Sequence, residues 1–441
     1  MNSFFMADNK KQIVVVGGGF AGVNFIKSLG NNPQYHVTLV DINNYNFFPP
    51  LIYQVATAFI ENSNISRPFR KMFKKNTNFS FHLGKLLRID SEANRIETDT
   101  GFVSYDYLVL GLGTETNYFG MENVKQNAFP MKNITDALAI RNKILLSLEE
   151  YIQHKGHPDQ ESFLNIVVAG GGPSGVEVSG MLAELSDRVV KREYPELGAV
   201  RPIIHLVDAS PVLLGPMSKV AQKEAKDVLE KLDVKVTLNV AVKDYTDDVV
   251  VLSDDTKIKT KTLIWTSGVI ARELPGIPTE KFGRGRRVLV DEFNAVQGYD
   301  NIFAIGDICY QDTDPKFPNG HPQLAQVAIQ QGQLLSKNIP NKDRGQAMKP
   351  FRYWDKGSMA VIARYKAVAD LSPTRSYKGL FAWITWLVIH LIPIVSFRNK
   401  WKLLGNWVWS FYSANSGLRL IIRSERKSDN NAVRTETPLK R

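Results

Sequence analysis

The chain has 441 residues, 44% hydrophobic and 22% charged, the composition of a folded protein of two or three domains and not of a disordered one. A single cysteine, Cys309, excludes a disulfide framework, a CxxC redox pair and a multi-cysteine metal site within one chain. The net charge of +11 resides in residues 351–441, which hold 16 Lys/Arg against 5 Asp/Glu, so an anionic partner, nucleic acid or lipid, is expected for that end alone.

The N-terminal MNSFFMADNKKQ has neither the apolar run of a signal peptide nor the arginines of a transit peptide. Next, Ile13–Val16 is a β-branched run that predicts a buried parallel strand. Gly17, Gly19 and Gly22 follow as GxGxxG, enclosing Phe20 and Ala21, and a helical stretch Val23–Leu29 comes after. In such a turn the first glycine permits the tight bend and the second lets the backbone approach a pyrophosphate. The third lets helix and strand pack closely. The helix N-terminus offers unpaired N–H groups to phosphate. Strand His36–Val40 then ends in Asp41, 24 residues beyond Gly17, where an acid binds a ribose hydroxyl. A glycine turn beside an unrelated surface acid is the alternative, and it leaves the strand–turn–helix–strand–acid order unexplained.

The pattern recurs. Asn165–Ala169 predicts a strand, and Gly170, Gly172 and Gly175 repeat the spacing around Pro173 and Ser174. Strand Pro202–Val207 ends in Asp208, the gap lengthened by an insertion such as Lys191–Ala199. No arginine follows in Ala209–Gly215 to grip a 2′-phosphate, so NADH is expected over NADPH. Two cradles predict two dinucleotides: FAD held permanently and non-covalently in the first, NADH received transiently in the second.

A third strand, NIFAIGDIC (Asn301–Cys309), ends in Gly306-Asp307. With YDYLVLGLGT (Tyr105–Thr114, containing Gly113) and TLIWTSGV (Thr262–Val269, containing Gly268), it resembles the two-dinucleotide-binding-domain flavoproteins. The resemblance implies that Asp307 lies against the ribityl chain of FAD; a turn acid at a strand end is the alternative. The implied fold class is α/β: two Rossmann-like dinucleotide-binding domains, the NADH domain inserted in the FAD domain, with a C-terminal amphipathic helical membrane-binding region. The expected boundaries are 1–135 and 291–348 for the FAD domain, 136–290 for the NADH domain, 349–423 for the membrane-binding region and 424–441 for a disordered tail.

Disulfide reductases of this group need two thiols near the flavin, and peroxidase and oxidase relatives need one. The first domain has none, and Cys309 is expected to be a packed thiol. FPPLIYQVAT (Phe48–Thr57) and PQLAQVAIQQG (Pro322–Gly332), the latter with AQxAxQxG at Ala325, Gln326, Ala328, Gln330 and Gly332, point to one subgroup. So do GSMAVIARYKAV (Gly357–Val368) and GLFAWITWLVIHLIPIVSFRNK (Gly379–Lys400). Over about residues 12–415 the chain resembles the type II NADH:quinone oxidoreductases, single-subunit enzymes that pump no protons.

That resemblance implies hydride transfer from NADH to FAD and reduction of a membrane quinone, ubiquinone or menaquinone, in the respiratory chain, with no metal and no nucleophile. It implies that Gln326 and Gln330 lie at the quinone side of the flavin; at i and i+4 they share a helix face. Glu177 is implied at the nicotinamide–flavin contact and Lys366 near flavin and quinone. The alternatives are an exposed polar face for the glutamines, a first-turn acid favouring the helix dipole for Glu177, and a surface lysine for Lys366.

Leu380–Phe397 is an apolar run of 18 residues interrupted by Thr385, His390, Pro393 and Ser396, short of the roughly 20 a spanning helix needs. Trp383, Trp386 and Trp401, with cations such as Arg398, predict an anchor lying in the interface of an anionic bilayer. Burial in a homodimer interface and a single span are the alternatives. The expected location is the cytoplasmic face of the inner membrane, as a peripheral homodimer, with no nucleic-acid partner. A soluble FAD-dependent NADH reductase of another acceptor and a non-catalytic NADH sensor are the alternative functions.

Overall fold

The computed structural model describes residues 10–372, 375–391, 399–405, 407 and 419–421. The chain enters with β1 (Lys11–Val16), α1 (Phe20–Leu29) and β2 (Tyr35–Asp41), followed by the short α2 (Ile52–Ala56), β3 (Phe79–Leu83) and β4 (Tyr107–Leu110). It then builds a second sheet from β5 (Phe129–Pro130), α3 (Ile134–Gln153), β6 (Asn165–Ala169), α4 (Pro173–Leu185), β7 (Ile203–Asp208), α5 (Lys219–Lys231), β8 (Lys235–Leu238) and β9 (Thr262–Trp265). With β10 (Ile302–Ala304) it returns to the first sheet. The strand orders are β10-β4-β1-β2-β3 and β5-β9-β6-β7-β8, with every neighbouring pair parallel.

In each sheet the first strand of the repeated pattern, β1 or β6, has neighbours on both sides whose connections run in opposite directions. That reversal opens a crevice at the carboxyl ends of the strands, where doubly wound sheets take ligands. The β-branched runs suit this position because both faces of each sheet are covered. Ile13 and Val15 face one apolar core and Val14 and Val16 the other. Ile166 and Val168 are likewise separated from Val167 and Ala169.

Helix α6 (Ala325–Asp343) lies along α1, and Gly332 makes the close approach possible: a Cβ there would stand 2.4 Å from the Ala21 carbonyl oxygen. The following region is not helical throughout. Strands β11 (Ser358–Ala363), β12 (Lys366–Ser372) and β13 (Arg375–Lys378) form a three-stranded antiparallel sheet before α7 (Gly379–Leu391) begins. One continuous apolar core joins α2, α3, α4 and the second sheet to β11, β12, α7, Leu403 and Trp407.

Helix α7 turns its tryptophans the other way from the expectation. Trp383 and Trp386 are 7% and 1% exposed and belong to that core, so they do not face a bilayer. Trp386 stacks on His390 at 4.2 Å and lies 5.9 Å from Trp407. The outward face carries Leu380, Phe381, Ile384, Val388 and Ile389 instead. This helix is apolar all round, so the largest rings fill the protein side and aliphatic residues are left outside. Trp401 is exposed as expected, while Arg398 and the tail 424–441 lie outside the described residues. No described helix is long and apolar enough to cross a membrane.

Candidate active site

The first glycine turn follows β1. Gly17 has φ +103°, and a Cβ on it would stand 2.4 Å from the Gly111 carbonyl oxygen; one on Gly22 would stand 2.1 Å from that of Gly17. These two positions are closed to any side chain by backbone. At Gly19 nothing lies within 4 Å of the Cβ position. The open ground is thus at the glycine whose bareness serves a ligand, which fits a pyrophosphate resting on the α1 N-terminus.

Asp41 at the end of β2 accepts from the Gly18 N–H at 2.6 Å and the Asn43 N–H at 2.7 Å. Burial raises its carboxyl, and these two donors with Arg272 oppose the rise. Asn46 donates to the Gly18 carbonyl at 2.8 Å, fixing the turn from its other side. Phe20 meets Phe48 edge-on, with ring centres 5.7 Å apart. Ala21 lies beneath Gly306, whose own Cβ would stand 3.2 Å from that of Ala21 and 3.3 Å from that of Ala328. The return strand is thereby seated between the first turns of α1 and α6.

This seat sets Asp307 near Lys132 and Arg287. Burial raises the Asp307 carboxyl against the pull of those two cations. Burial also lowers Lys132, which Asp307 opposes and Arg272 reinforces. Lys132 donates to the Thr114 hydroxyl at 2.6 Å, next to Gly113. Gly113 has φ +69° and open space before it.

Lys132, Arg272 and Arg287 carry no motif and escaped the sequence reading. So did Gln331, which is fully buried and accepts from the Gly306 N–H at 2.7 Å. Gln323 holds the Asp307 carbonyl at 2.9 Å. Cys309 is packed beside Gln331, and burial pushes its thiol up to about 11.

The second turn repeats the first. Gly170 has φ +113°, and Gly175 approaches so closely that a Cβ would stand 1.7 Å from the Gly170 carbonyl oxygen. Gly172 has nothing within 4 Å. Pro173 occupies the first helical position, where its missing N–H costs nothing, and Ser174 is exposed beside it. The Gly171 N–H donates to Asp208, as Gly18 does to Asp41, and Ser210 adds a second bond at 2.6 Å. Gly268, with φ +72°, lies against the Phe119 ring.

Glu177, one turn into α4, is 8% exposed and accepts a single long bond, from the Val361 N–H at 3.4 Å. Burial pushes its carboxyl well above the usual range. Burial also raises the neighbouring Tyr53 hydroxyl, with Glu177 adding to the effect. Glu184, two turns on, takes the Arg364 N–H at 2.6 Å. Both carboxyls of α4 therefore face β11.

Gln326 and Gln330 do share a face of α6, and each is engaged by main chain. Gln326 donates to the Gly357 carbonyl and Gln330 to that of Trp354, both at 2.9 Å. They pin the irregular segment that leads into β11. Lys366 does not join them. It is exposed at the start of β12, beyond the far end of β11, and the strand's rise places it roughly 20 Å from Gly357. Gln54, in α2, bridges Tyr53 and Trp407 at 3.1 Å each, tying the first sheet's connection to the C-terminal region.

Residues 11–332 match the pyridine nucleotide-disulphide oxidoreductase family, and residues 355–413 match the NDH2 C-terminal domain. The chain is 33% identical over 425 residues to the type II NADH:quinone oxidoreductase NdhA of Mycobacterium tuberculosis, covering 92% of this chain and 88% of that one. To the type II NADH:quinone oxidoreductase of Staphylococcus aureus it is 28% identical, covering 82% and 90%. The solved structure of NDH2 from Plasmodium falciparum in complex with NADH shares the fold, with a TM-score of 0.84 at 21% identity over 94% of this chain and 100% of that one.

Proposed function

Since the chain belongs to the type II NADH:quinone oxidoreductase family, we propose how its residues divide the family's reaction between them. The protein oxidises NADH and reduces a quinone, with FAD as its cofactor. The chemistry that FAD supplies when bound is two-electron transfer between a nicotinamide and a quinone. The turn at Gly17–Gly22 holds the FAD pyrophosphate and Asp41 its ribose; Gly113 and Asp307 line the remainder. The turn at Gly170–Gly175 receives NADH, with Asp208 at the ribose and Gly268 at the rim.

Burial without a cationic partner raises the Glu177 carboxyl well above its usual range and so favours its protonated form. Glu177 sits where α4, Tyr53 and β11 meet and supplies that proton on the quinone side. Gln326 and Gln330 act by positioning the Trp354–Gly357 segment that borders the site. Lys366 lies too far from that segment to share a proton with it.

The outward face of α7 and Trp401 dip into lipid, and Lys400 and Lys402 meet anionic headgroups. This seats the quinone entrance on the bilayer surface. The face is the cytoplasmic one, since NADH is cytoplasmic, and the assembly is a homodimer with no nucleic-acid partner. Two complete cradles with open middle glycines are the observation that carries the reading.

Anaerobic absorbance of the purified protein tests it. NADH is expected to bleach the flavin bands and a short-chain quinone to restore them. Bleaching without recovery would remove the quinone assignment, and absence of a flavin spectrum after adding FAD would remove the first cradle.

A further inference from the structure

We propose that a cleft between the C-terminal ends of α1 and α6 binds a small phosphorylated anion, apart from both dinucleotide cradles. The cleft has a volume of about 390 Å³, within the range of metabolite sites. Lys337, Arg344 and Lys349 surround it, with Ser28 and Asn341 as further donors, and no carboxylate lines it. Among the described residues none of the three cations forms an ion pair. The adjacent Asp343 is committed elsewhere: Lys11 and Tyr35 donate to it at 2.5 Å and Tyr107 at 2.6 Å.

The wall is built for the purpose. Asn338, 1% exposed, spends its whole carboxamide on the Lys349 main chain, donating to the carbonyl and accepting from the N–H, both at 2.9 Å. The Gln346 N–H returns to the Asn341 carbonyl at 2.8 Å. Residues 344–349 are thus folded back against α6, so that the Lys349 main chain is already fixed beside that helix and only its side chain is ordered on binding. Cations near helix C-termini also favour the helix dipoles, but that role requires neither a concavity nor a buried amide holding a loop residue. Three single charges with hydroxyl and amide donors complement an anion carrying two or more phosphate charges.

The test uses the full-length, FAD-loaded protein saturated with NAD⁺, so that both cradles are filled, and tripolyphosphate as the probe in titration calorimetry. One site per chain is expected. Lys337→Gln, Arg344→Gln and Lys349→Gln should each weaken it by about tenfold or more while leaving NADH:quinone turnover without the probe unchanged. Melting curves verify that each variant is folded, and Lys349→Gln, in an exposed loop, serves if a helix variant is not. No binding would overturn the proposal. Equal binding by the variants would overturn it, as would several weak sites per chain, the behaviour of a generally basic surface. Loss of melting temperature without loss of binding would return the cations to the helix dipoles.

Discussion

Gly180 of α4 lies so close under Ile362 of β11 that a Cβ would stand 1.6 Å from the Ile362 carbonyl oxygen. The helix that begins at the second cradle is therefore pressed, at its middle, against the C-terminal sheet. Glu177 and Glu184 flank the contact and take the Val361 and Arg364 N–H groups. Gly180→Ala must part helix from strand, and overpacking of this kind costs about 1–3 kcal/mol or more. We expect a lowered unfolding midpoint in denaturant. Quinone turnover should fall further than NADH turnover with ferricyanide, which does not need the C-terminal sheet.

Glu177 imposes a pH dependence whose sign follows from its shift. Its carboxyl keeps its proton in the folded chain well above the ordinary value of 4.5. As pH rises from that value the unfolded chain gives the proton up while the folded chain retains it. Stability therefore falls with pH across this window, by up to about 1.4 kcal/mol per pH unit, and is undiminished below it. Glu177→Gln should flatten the slope in melting curves taken at stepped pH. It should also lower quinone turnover more than ferricyanide turnover, since ferricyanide takes no proton.

The two cradles offer a paired test of what each glycine does. Gly175→Ala meets the Gly170 backbone and should destabilise the protein. Gly172→Ala meets nothing in the protein; its stability should stay within about 1 kcal/mol of the wild type. Its methyl group enters the space for the pyrophosphate, so the KM for NADH should rise by about tenfold or more. A normal KM in Gly172→Ala would place the nicotinamide dinucleotide elsewhere.

How much of this was legible in the sequence depends on whether a feature is local. The glycine turns were, because the steric demands at Gly17, Gly22, Gly170 and Gly175 arise within a few residues or from the adjoining strand. The β-branched runs were legible for the same reason. Lys132 and Arg287 were not, since only the return of β10 brings Asp307 near them, and Arg272 was not, since only the fold brings it near Asp41 and Lys132. Gln331 was hidden among other glutamines, and one residue of helical rotation takes it from the Gln326–Gln330 face into the core. The short β11 and β12 have buried residues in runs and show no clean alternation. Helix α7, apolar on all sides, gave periodicity nothing with which to choose between Trp386 inward and Phe381 outward.

That choice yields a fourth prediction. Phe381→Asp with Val388→Asp changes only exposed positions. It should leave the melting temperature near that of the wild type and cut co-sedimentation with anionic vesicles by about tenfold or more. Trp386→Ala, by contrast, opens the core and should cost about 3–5 kcal/mol. If Trp386→Ala instead released the protein from vesicles without destabilising it, the inward orientation of that ring would be wrong.

The continuous core also decides how a detergent-free form of this protein can be made. Ala382, Trp383, Trp386, Leu403 and Trp407 pack in one cluster with Ile140, Ile166 and Val168. Cutting the chain before α7 would strip the lid from the second sheet's own interior and yield an aggregating fragment. Resurfacing is the workable route: polar residues at Leu380, Phe381, Ile384 and Val388 would recolour the outer side of the helix while its inner side keeps the building closed.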